Sequence, residues 1–448
     1  MLARKIDSYI RDFYANSSKA LLVTGARQVG KTYSIKEFCK SVFTNIVEIN
    51  FIENEDAKQI FAGVGSAEAI LTRISVVSDV PLVKGQTIIF FDEVQECPEA
   101  VTMIKFLVEE GSYRYILSGS LLGVELKDLR SEPVGYMDVV EMYPLDFEEF
   151  LMAVNISGST IDHLRNSAEK EEPVDEFIHK RIMEFFRLYL IVGGMPSAVD
   201  KYLSTHDLLN VKSEQEAILH LYKRDITKYD PEEKLKIQDV FDLIPAELNG
   251  KNKRFILKNL NENAKFTRYS DALLWLKNAG VAISVFNVDE PKVPLLLSQS
   301  RNLFKLFQND VGLLAAQYAS TNDIRLKVLS GEDNVNFGAV YENVVAQELV
   351  AHGLKPYYFN SKKNGEVDFL IEYQASVLPI EVKSGKDYER HRALANIMDI
   401  TNYSLNQAIV LCNGNTHREG KILYLPVYLL GFLLSRKEKS MLYDLQPI

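Results

Sequence analysis

Cysteine is scarce in this 448-residue chain: Cys39, Cys97 and Cys412 are far apart and odd in number. That usage argues against a disulfide framework and for a reducing cytoplasm, and the three show no zinc-ligand spacing. Long apolar runs are missing too. The longest, 423–434, contains Pro426 and Gly431 and falls short of the ~20 residues a membrane span needs. The N-terminal residues set Arg4, Lys5 and Arg11 among Leu2, Ile6, Tyr9, Ile10 and Phe13 at helical spacing, so the uninterrupted apolar segment of a signal peptide is absent. A soluble, cytoplasmic protein with no membrane partner is expected. Positive charge is also short: a formal net charge of −10 argues against indiscriminate nucleic-acid binding by the whole surface, though a local basic patch remains compatible with it. What is present is globular in character, 47% hydrophobic and 25% charged, and the length calls for about two to four domains.

Residues 21–32 read Leu-Leu-Val-Thr-Gly-Ala-Arg-Gln-Val-Gly-Lys-Thr. An apolar strand runs straight into a glycine-bounded loop. From Gly25 through Ala26, Arg27, Gln28 and Val29 to Gly30, successive backbone N–H groups can point into one concavity and meet phosphate oxygens at the start of the next helix. Lys31 would reach the β- and γ-phosphates of ATP and take part in catalysis, and the Thr32 hydroxyl would ligate Mg²⁺. The alternative is a chance glycine turn. The strand before the loop and the helix expected over 33–42 are the context the phosphate-loop motif demands.

Residues 45–51 alternate as a strand, the polar stretch 53–65 leaves the sheet, and 87–93 read Thr-Ile-Ile-Phe-Phe-Asp-Glu. Four apolar residues in a row fit a strand covered on both faces, as parallel sheets require. Asp92 and Glu93 emerge at its C-terminal end, where α/β sheets bind ligands. Asp92 would hold Mg²⁺ through its water shell, and Glu93 would polarise the attacking water. An acidic pair there is otherwise a solvated strand end; the upstream loop favours the catalytic reading. A further buried strand, 114–120, carries Ser118 and Ser120 at its end. Either hydroxyl could sense the γ-phosphate from a strand between the two motifs, or the pair is a serine turn. Residues 139–143 read as the last strand.

Together, 25–32, 90–95 (Phe-Phe-Asp-Glu-Val-Gln), 117–120 (Leu-Ser-Gly-Ser) and 143–150 (Tyr-Pro-Leu-Asp-Phe-Glu-Glu-Phe) resemble a prokaryotic AAA+-like P-loop ATPase family in order and spacing over the first third of the chain. The resemblance implies an α/β fold on a parallel sheet, ATP and Mg²⁺ as cofactors, and ATP hydrolysis. It departs at Gly135-Tyr136, where the family often has Gly-Arg before the Pro-Leu segment. An arginine finger there is not supported, and Arg130 is a weak substitute.

From 147 to 229 apolar residues recur at three- and four-residue spacing, broken at 157–159 and 169–173, which predicts loops between helices of a helical lid. Residues 190–196, Leu-Ile-Val-Gly-Gly-Met-Pro, resemble a signature found after the ATPase core in the same family. They offer no acid, base or ligand, and predict a tight turn ahead of a helix over 197–203. Between 251 and 268 stand Lys251, Lys253, Arg254, Lys258, Lys265 and Arg268 against one acid, Glu262. With the helical stretches 241–248 and 254–260 and a helix ending at Gly280 before alternating Val281, Ile283 and Val285, three helices and a strand pair suggest a winged helix that could contact DNA. A structural domain with a solvated basic face is the alternative. Trp275 reads as core.

The C-terminal part carries a second constellation. Residues 337–349 predict an amphipathic helix with Glu342, 357–359 a strand, and 365–371 and 378–385 a hairpin carrying Asp368 on one strand and Glu381 and Lys383 on the other. Strand residues two apart share a face, so Glu381 and Lys383 point together and the hairpin can bring Asp368 beside them. Carboxylates that bind Mg²⁺ next to a lysine that orients or deprotonates water suit phosphodiester hydrolysis. The pattern Glu342, Asp368, Glu381-x-Lys383 resembles the PD-(D/E)xK nuclease superfamily and the domain of unknown function that commonly follows this ATPase core. It implies Glu342, Asp368 and Glu381 as metal ligands and Asp368, Glu381 and Lys383 as catalytic groups. A surface salt-bridge ladder is the plainer alternative. Residues 336–448 hold 12 Lys or Arg and 12 Asp or Glu, so any phosphate-tracking surface must be local, drawn from Lys362, Lys363, Lys386, Arg390 and Arg392.

The expected organisation is an AAA+-like core (1–145), a helical lid (146–230), a winged-helix-like region and linker (231–335) and a restriction-endonuclease-like α/β domain (336–448). The expected function is a Mg²⁺-dependent ATPase coupled to a nuclease-like, DNA-acting domain. A nucleotide-dependent DNA- or protein-binding switch with an inactive nuclease-like domain is the alternative; a third is nucleotide held as a structural ligand. An oligomer is compatible with the sequence but not established by it.

Overall fold

The computed structural model describes residues 2–63, 65–120, 133–226, 231–250, 253–260, 266–318, 327, 329–330 and 338–435. Arg130, Lys251, Glu262, Lys265 and Phe337, singled out above, lie outside the described residues, as do 436–448. The chain forms two compact units, each discontinuous in sequence: Met1–Leu145 with Ile191–Ser284 and Lys305–Arg325, and Asp146–Leu190 with Val285–Phe304 and Leu326–Ile448.

In the first unit, β1 (Ala20–Thr24), β2 (Asn45–Asn50), β3 (Thr87–Asp92), β4 (Arg114–Ser118) and β5 (Met137–Glu141) form a sheet in the order β2-β3-β4-β1-β5, with every pairing parallel. Strand β4 therefore separates β1, which feeds the glycine loop, from β3, which ends in Asp92. Residues 87–92 are buried throughout, as expected for a strand with cover on both faces. The cover comes from α1 (Lys5–Asn16), α2 (Lys31–Val42), α3 (Ala67–Val77) and α4 (Pro98–Glu110). Helix α3 starts where the Ser66 hydroxyl accepts the Ala69 N–H at 3.3 Å, and α4 has proline at its first position and stops at Gly111 in the left-handed region, as the asymmetry of helix ends favours. Phe51, Phe91 and Tyr115 stack in series, with ring centroids 6.1 and 6.4 Å apart, against Ile104 and Leu107 of α4. Removing a ring such as Phe91 from water contributes about 2–3 kcal/mol.

Helices α5 (Phe147–Ala153), α6 (Gly158–Lys170) and α7 (Glu176–Val192) come next, then α8 (Pro196–Thr205), α9 (Leu208–Ile226), α10 (Pro231–Leu248) and α11 (Phe266–Asn278). The expected lid is helical but divides between the two units at Leu190/Ile191. Its first part joins the second unit because Phe147 packs on Phe186, Tyr189 and Tyr428. Its second part stays with the first unit, where the Gln215 amide donates to Ile191 O (2.8 Å) and Val192 O (2.9 Å). The turn before α8 wraps a buried carboxylate. Asp310, which precedes α12 (Val311–Tyr318), accepts the Gly194 N–H at 2.6 Å and the Leu313 N–H at 3.0 Å. At Gly193, with φ +73°, a Cβ would stand 2.2 Å from Asp310 Oδ1, so only glycine fits.

The second unit holds most of an eight-stranded mixed sheet. Strands β6 (Ala282–Val288), β7 (Gln299–Gln308), β8 (Tyr357–Ser361), β9 (Gly365–Tyr373), β10 (Ser376–Val382), β11 (Ala408–Cys412), β12 (His417–Glu419) and β13 (Ile422–Pro426) lie in the order β12-β13-β11-β10-β9-β8-β6-β7. The expected hairpin is β9–β10, antiparallel, with β11 parallel to β10. The strand pair after Gly280 is the edge of this sheet. Helix α13 (Gly338–Ala351) was expected to be amphipathic, but every residue from Ala339 to Leu349 is buried. Its polar side chains are matched instead: Gln347 donates to the Tyr189 hydroxyl (2.9 Å) and Glu348 accepts the Phe147 N–H (2.8 Å). Helices α14 (Arg392–Met398) and α15 (Leu430–Leu434) complete the unit.

Candidate nucleotide site and a second carboxylate cluster

The loop leaving β1 is shaped by its backbone. Gly25 has φ +143°, and a Cβ there would come 2.2 Å from Met142 O, so any other residue would push the loop off β5. Arg4 rivets the far side, donating to Val29 O (2.9 Å) and Tyr143 O (2.7 Å), and the Tyr222 hydroxyl of α9 donates to Arg27 O (3.2 Å). Lys31 begins α2. Its ammonium donates to Gly25 O (3.1 Å) and Ala26 O (2.9 Å), folded over the loop that holds it. Burial lowers its pKa from 10.5 to about 8, against the opposing pull of Glu93 and Asp92.

Asp92, 2% exposed, is the most heavily bonded acid of the site. It accepts the Thr32 hydroxyl at 3.1 and 3.2 Å, the Asn50 amide at 3.1 Å and the Ser118 hydroxyl. Burial raises its pKa, while the bonds from Ser118 and Thr32 pull the other way. Ser118 is thus committed to Asp92. Ser120 offers its backbone N–H to Gln95 Oε1 (3.2 Å), and the Gln95 amide holds Glu93. Glu93 itself is in the left-handed region, φ +59°, which turns it away from the strand it follows.

Lys31, Thr32 and Glu93 line one cavity of about 660 Å³, together with Arg4, Arg27, Gln28, Gly30, Pro196, Ser197, Asp200 and Leu221. That volume lies within the usual range for small-molecule sites. Residues 17–151 match the family model described as "AAA domain". The first third of the chain is an AAA-like ATPase domain. Residues 183–323 and 337–430 match two models described as domains of unknown function, DUF8612 and DUF4143. Among curated proteins none matches the chain significantly. Similar solved structures include a Walker-type ATPase of Pyrococcus abyssi (14% identity, 71% of this chain and 96% of that one, TM-score 0.43), the Aeropyrum pernix Orc1 protein in complex with DNA (12%, 73% and 94%, 0.30) and C. elegans PCH-2 (14%, 48% and 65%, 0.28).

Sequence reasoning gave no site role to Asn50, to Arg4, to Gln95 of the 90–95 motif, or to Asp225 of α9, whose carboxylate pairs with Arg27. Asn50 was within reach of it, because it pairs in register with Asp92 across β2 and β3. The others act across turns or over spans of more than a hundred residues.

In the second unit, Glu381 is 6% and Glu342 1% exposed. Lys383 Nζ lies 2.8 Å from Glu381 Oε1, and Asp368 Oδ2 accepts the Val382 N–H at 2.9 Å. Burial acts to lower the pKa of Lys383, but Glu381 first, then Asp368 and Glu342, overcome it and the net shift is upward. Lys383 is therefore an ammonium that orients its neighbours, and the deprotonating role considered from sequence is disfavoured. Glu381 Oε2 is buried without a hydrogen-bond partner. Among the described residues, the trio whose ligand atoms all lie within 4.8 Å of one another is a different one, Asp146, Glu348 and His352. Those groups serve the start of α5: Asp146 Oδ1 accepts the Glu149 N–H (2.8 Å), Glu348 Oε1 accepts the Phe147 N–H, and His352 Nδ1 donates to Glu348 O (2.8 Å). Glu342, Asp368 and Glu381 do not converge to that distance as a trio.

Proposed function

We propose that the chain is a Mg²⁺-dependent ATPase whose nucleotide state is read out by a nuclease-like C-terminal domain. The observation that carries it is the placement of Lys31, Thr32 and Glu93 on one cavity, with Asp92 hydrogen-bonded to Thr32. Thr32 and Asp92 are hard oxygen donors hydrogen-bonded at 3.1 Å, so the residues present fit that ion, which Thr32 would ligate and Asp92 would hold through its water shell. When bound, Mg²⁺ would neutralise charge on the β- and γ-phosphates. Lys31 supplies a second positive charge at the same phosphates, Asn50 and Ser118 keep Asp92 oriented, and Glu93 accepts a proton from the attacking water once released by Gln95. Phosphate release from ATP, compared between the natural chain and Glu93→Gln, tests this. A loss of on the order of 10²-fold or more is expected for removal of a general base; equal rates would favour nucleotide as a structural ligand.

A second reading concerns the other unit. A buried carboxylate oxygen of Glu381 without a partner, beside Lys383, on an α-helix, three-stranded meander, helix and parallel strand (α13, β8–β10, α14, β11), supports a PD-(D/E)xK-like site. DNA is the substrate such a site suits. Plasmid incubated with Mg²⁺ or Mn²⁺ and the protein should be nicked, and Lys383→Ala should abolish nicking. Equal nicking by both proteins removes the nuclease claim and leaves a binding switch.

A further inference from the structure

Two guanidinium groups line the nucleotide cavity, and they are held differently. Arg4 spends both terminal nitrogens on backbone carbonyls, Val29 O and Tyr143 O, which a ligand cannot replace without unseating the loop. Arg27 is the third residue of the loop itself, and its Nη1 is paired with Asp225 Oδ1 of α9 at 2.7 Å, with the two side chains 25% and 10% exposed. Its positive charge is felt by Lys31, so it stands near the group that would meet the β- and γ-phosphates.

We infer that Arg27 is the arginine of the hydrolytic step, supplied in cis and parked on Asp225 until a triphosphate enters; this rests on the ATPase reading above. The pair is end-on, with one guanidinium nitrogen on one carboxylate oxygen. A γ-phosphoryl group offers the guanidinium more charge and two parallel hydrogen bonds, a stronger class of contact than the single carboxylate oxygen it holds now. Once ATP is seated, the γ-phosphoryl group competes with Asp225 for the guanidinium. In the step itself, the water oxygen bonds to the γ-phosphorus as the β–γ bridging P–O bond breaks. The bond pair leaves on the β-phosphate, and the water proton passes to Glu93. Arg27 stabilises the charge that builds on the γ-oxygens and the bridging oxygen.

The full-length protein is assayed for steady-state ATP hydrolysis and for binding of a fluorescent ATP analogue, as the natural chain and as Arg27→Ala, Arg27→Lys, Asp225→Asn and Glu93→Gln. Arg27→Ala should lower kcat by on the order of 10³-fold, as loss of such an arginine does elsewhere, with analogue affinity changed less than about fivefold. Arg27→Lys, which keeps the charge and guards against a folding artefact, should recover part of that loss. Asp225→Asn should bind the analogue more tightly, because a competitor for the guanidinium is gone. In the natural chain kcat should be constant over a hundredfold dilution. The inference is overturned if Arg27→Ala hydrolyses ATP at the natural rate while Glu93→Gln does not, or if Asp225→Asn is as inactive as Arg27→Ala. It is also overturned if mixing Arg27→Ala with Glu93→Gln restores activity, which would place the arginine on a neighbouring subunit. If no protein in the series releases phosphate, the ATPase reading falls with it.

Discussion

Raising the pH should weaken nucleotide binding well before the fold is affected, because the loop's own lysine titrates early. Lys31 in the ligand-free protein has its pKa brought down to about 8 by burial. At pH 7 about 90% of such amines carry the proton, and at pH 9 about 10%. A triphosphate binds the ammonium and raises its pKa, so affinity should fall roughly tenfold between pH 7 and 9, about 1.4 kcal/mol. The phosphate's own second ionisation, with a pKa near 6, is complete by then and cannot supply the slope. For stability the sign is opposite. The unfolded lysine, at 10.5, binds the proton more tightly than the folded one, so the burial cost, roughly 3 kcal/mol, is present in full below pH 8 and relieved as the pH rises to 10.5. Titration calorimetry with a non-hydrolysable ATP analogue from pH 6.5 to 9.5, in buffers of different ionisation enthalpy, reads both the affinity and the proton taken up. Lys31→Arg keeps its charge throughout and should flatten the curve. An affinity that does not change between pH 7 and 9, with no proton uptake at pH 8.5, would refute the reasoning.

Asp310 makes a second pH-dependent contribution. Burial pushes its carboxyl up to about 6, against hydrogen bonds from Gly194, Leu313 and Gly312. Its folded pKa lies above the unfolded 3.8, so this group favours the folded state progressively as the pH falls from 6 towards 3.8, by roughly 3 kcal/mol across that window. In Asp310→Asn that dependence should vanish, and denaturation curves of variant and natural chain that stay parallel from pH 4 to 7 would refute it. Gly431→Ala should destabilise by about 1–3 kcal/mol, since its Cβ would stand 2.6 Å from Glu348 Oε2 and 3.2 Å from His352 Cε1. Chemical denaturation checks this, and a variant as stable as the natural chain would show that the Glu348–His352 pair gives way freely.

The ATPase core was legible because its signals are local. A strand, a loop and a helix follow one another within 21–42, and the acidic pair sits directly on the strand that presents it. The place of the Ser118 strand between the two motif strands followed from the same stretches. The assignment of α13 as amphipathic failed for an identifiable reason. Burial on every face of a helix is compatible with Glu342, Asn343, Gln347 and Glu348 only when each finds a partner, and for Gln347 and Glu348 those partners, Tyr189 and Phe147, lie some 160 and 200 residues upstream. The division of the lid had the same origin: nothing near Leu190 in the sequence announces that Phe186 and Tyr189 pack with one half of the chain and Gln215 with the other.

The same long spans explain why the shape of the phosphate loop is more than the loop's own property. Its glycines permit the turn, but Arg4 fixes Val29, Tyr222 fixes Arg27, and the Asn309 amide reaches the Tyr222 hydroxyl at 3.3 Å, next to the Asp310 that clamps Gly194. The loop and the turn that starts α8 are thereby tied to two adjacent residues, Asn309 and Asp310. Pro196 and Ser197 of α8 line the cavity on its other side, so a shift of the 309–310 pair moves both walls together. A ligand that withdraws Lys31 from Gly25 O and Ala26 O must find the loop already held open by these ties, because the loop loses its internal cation at that moment. Two carbonyls left without a donor in a buried site would each cost about 1–3 kcal/mol. The distant clamps are what keep that cost from being met by closing the loop on itself.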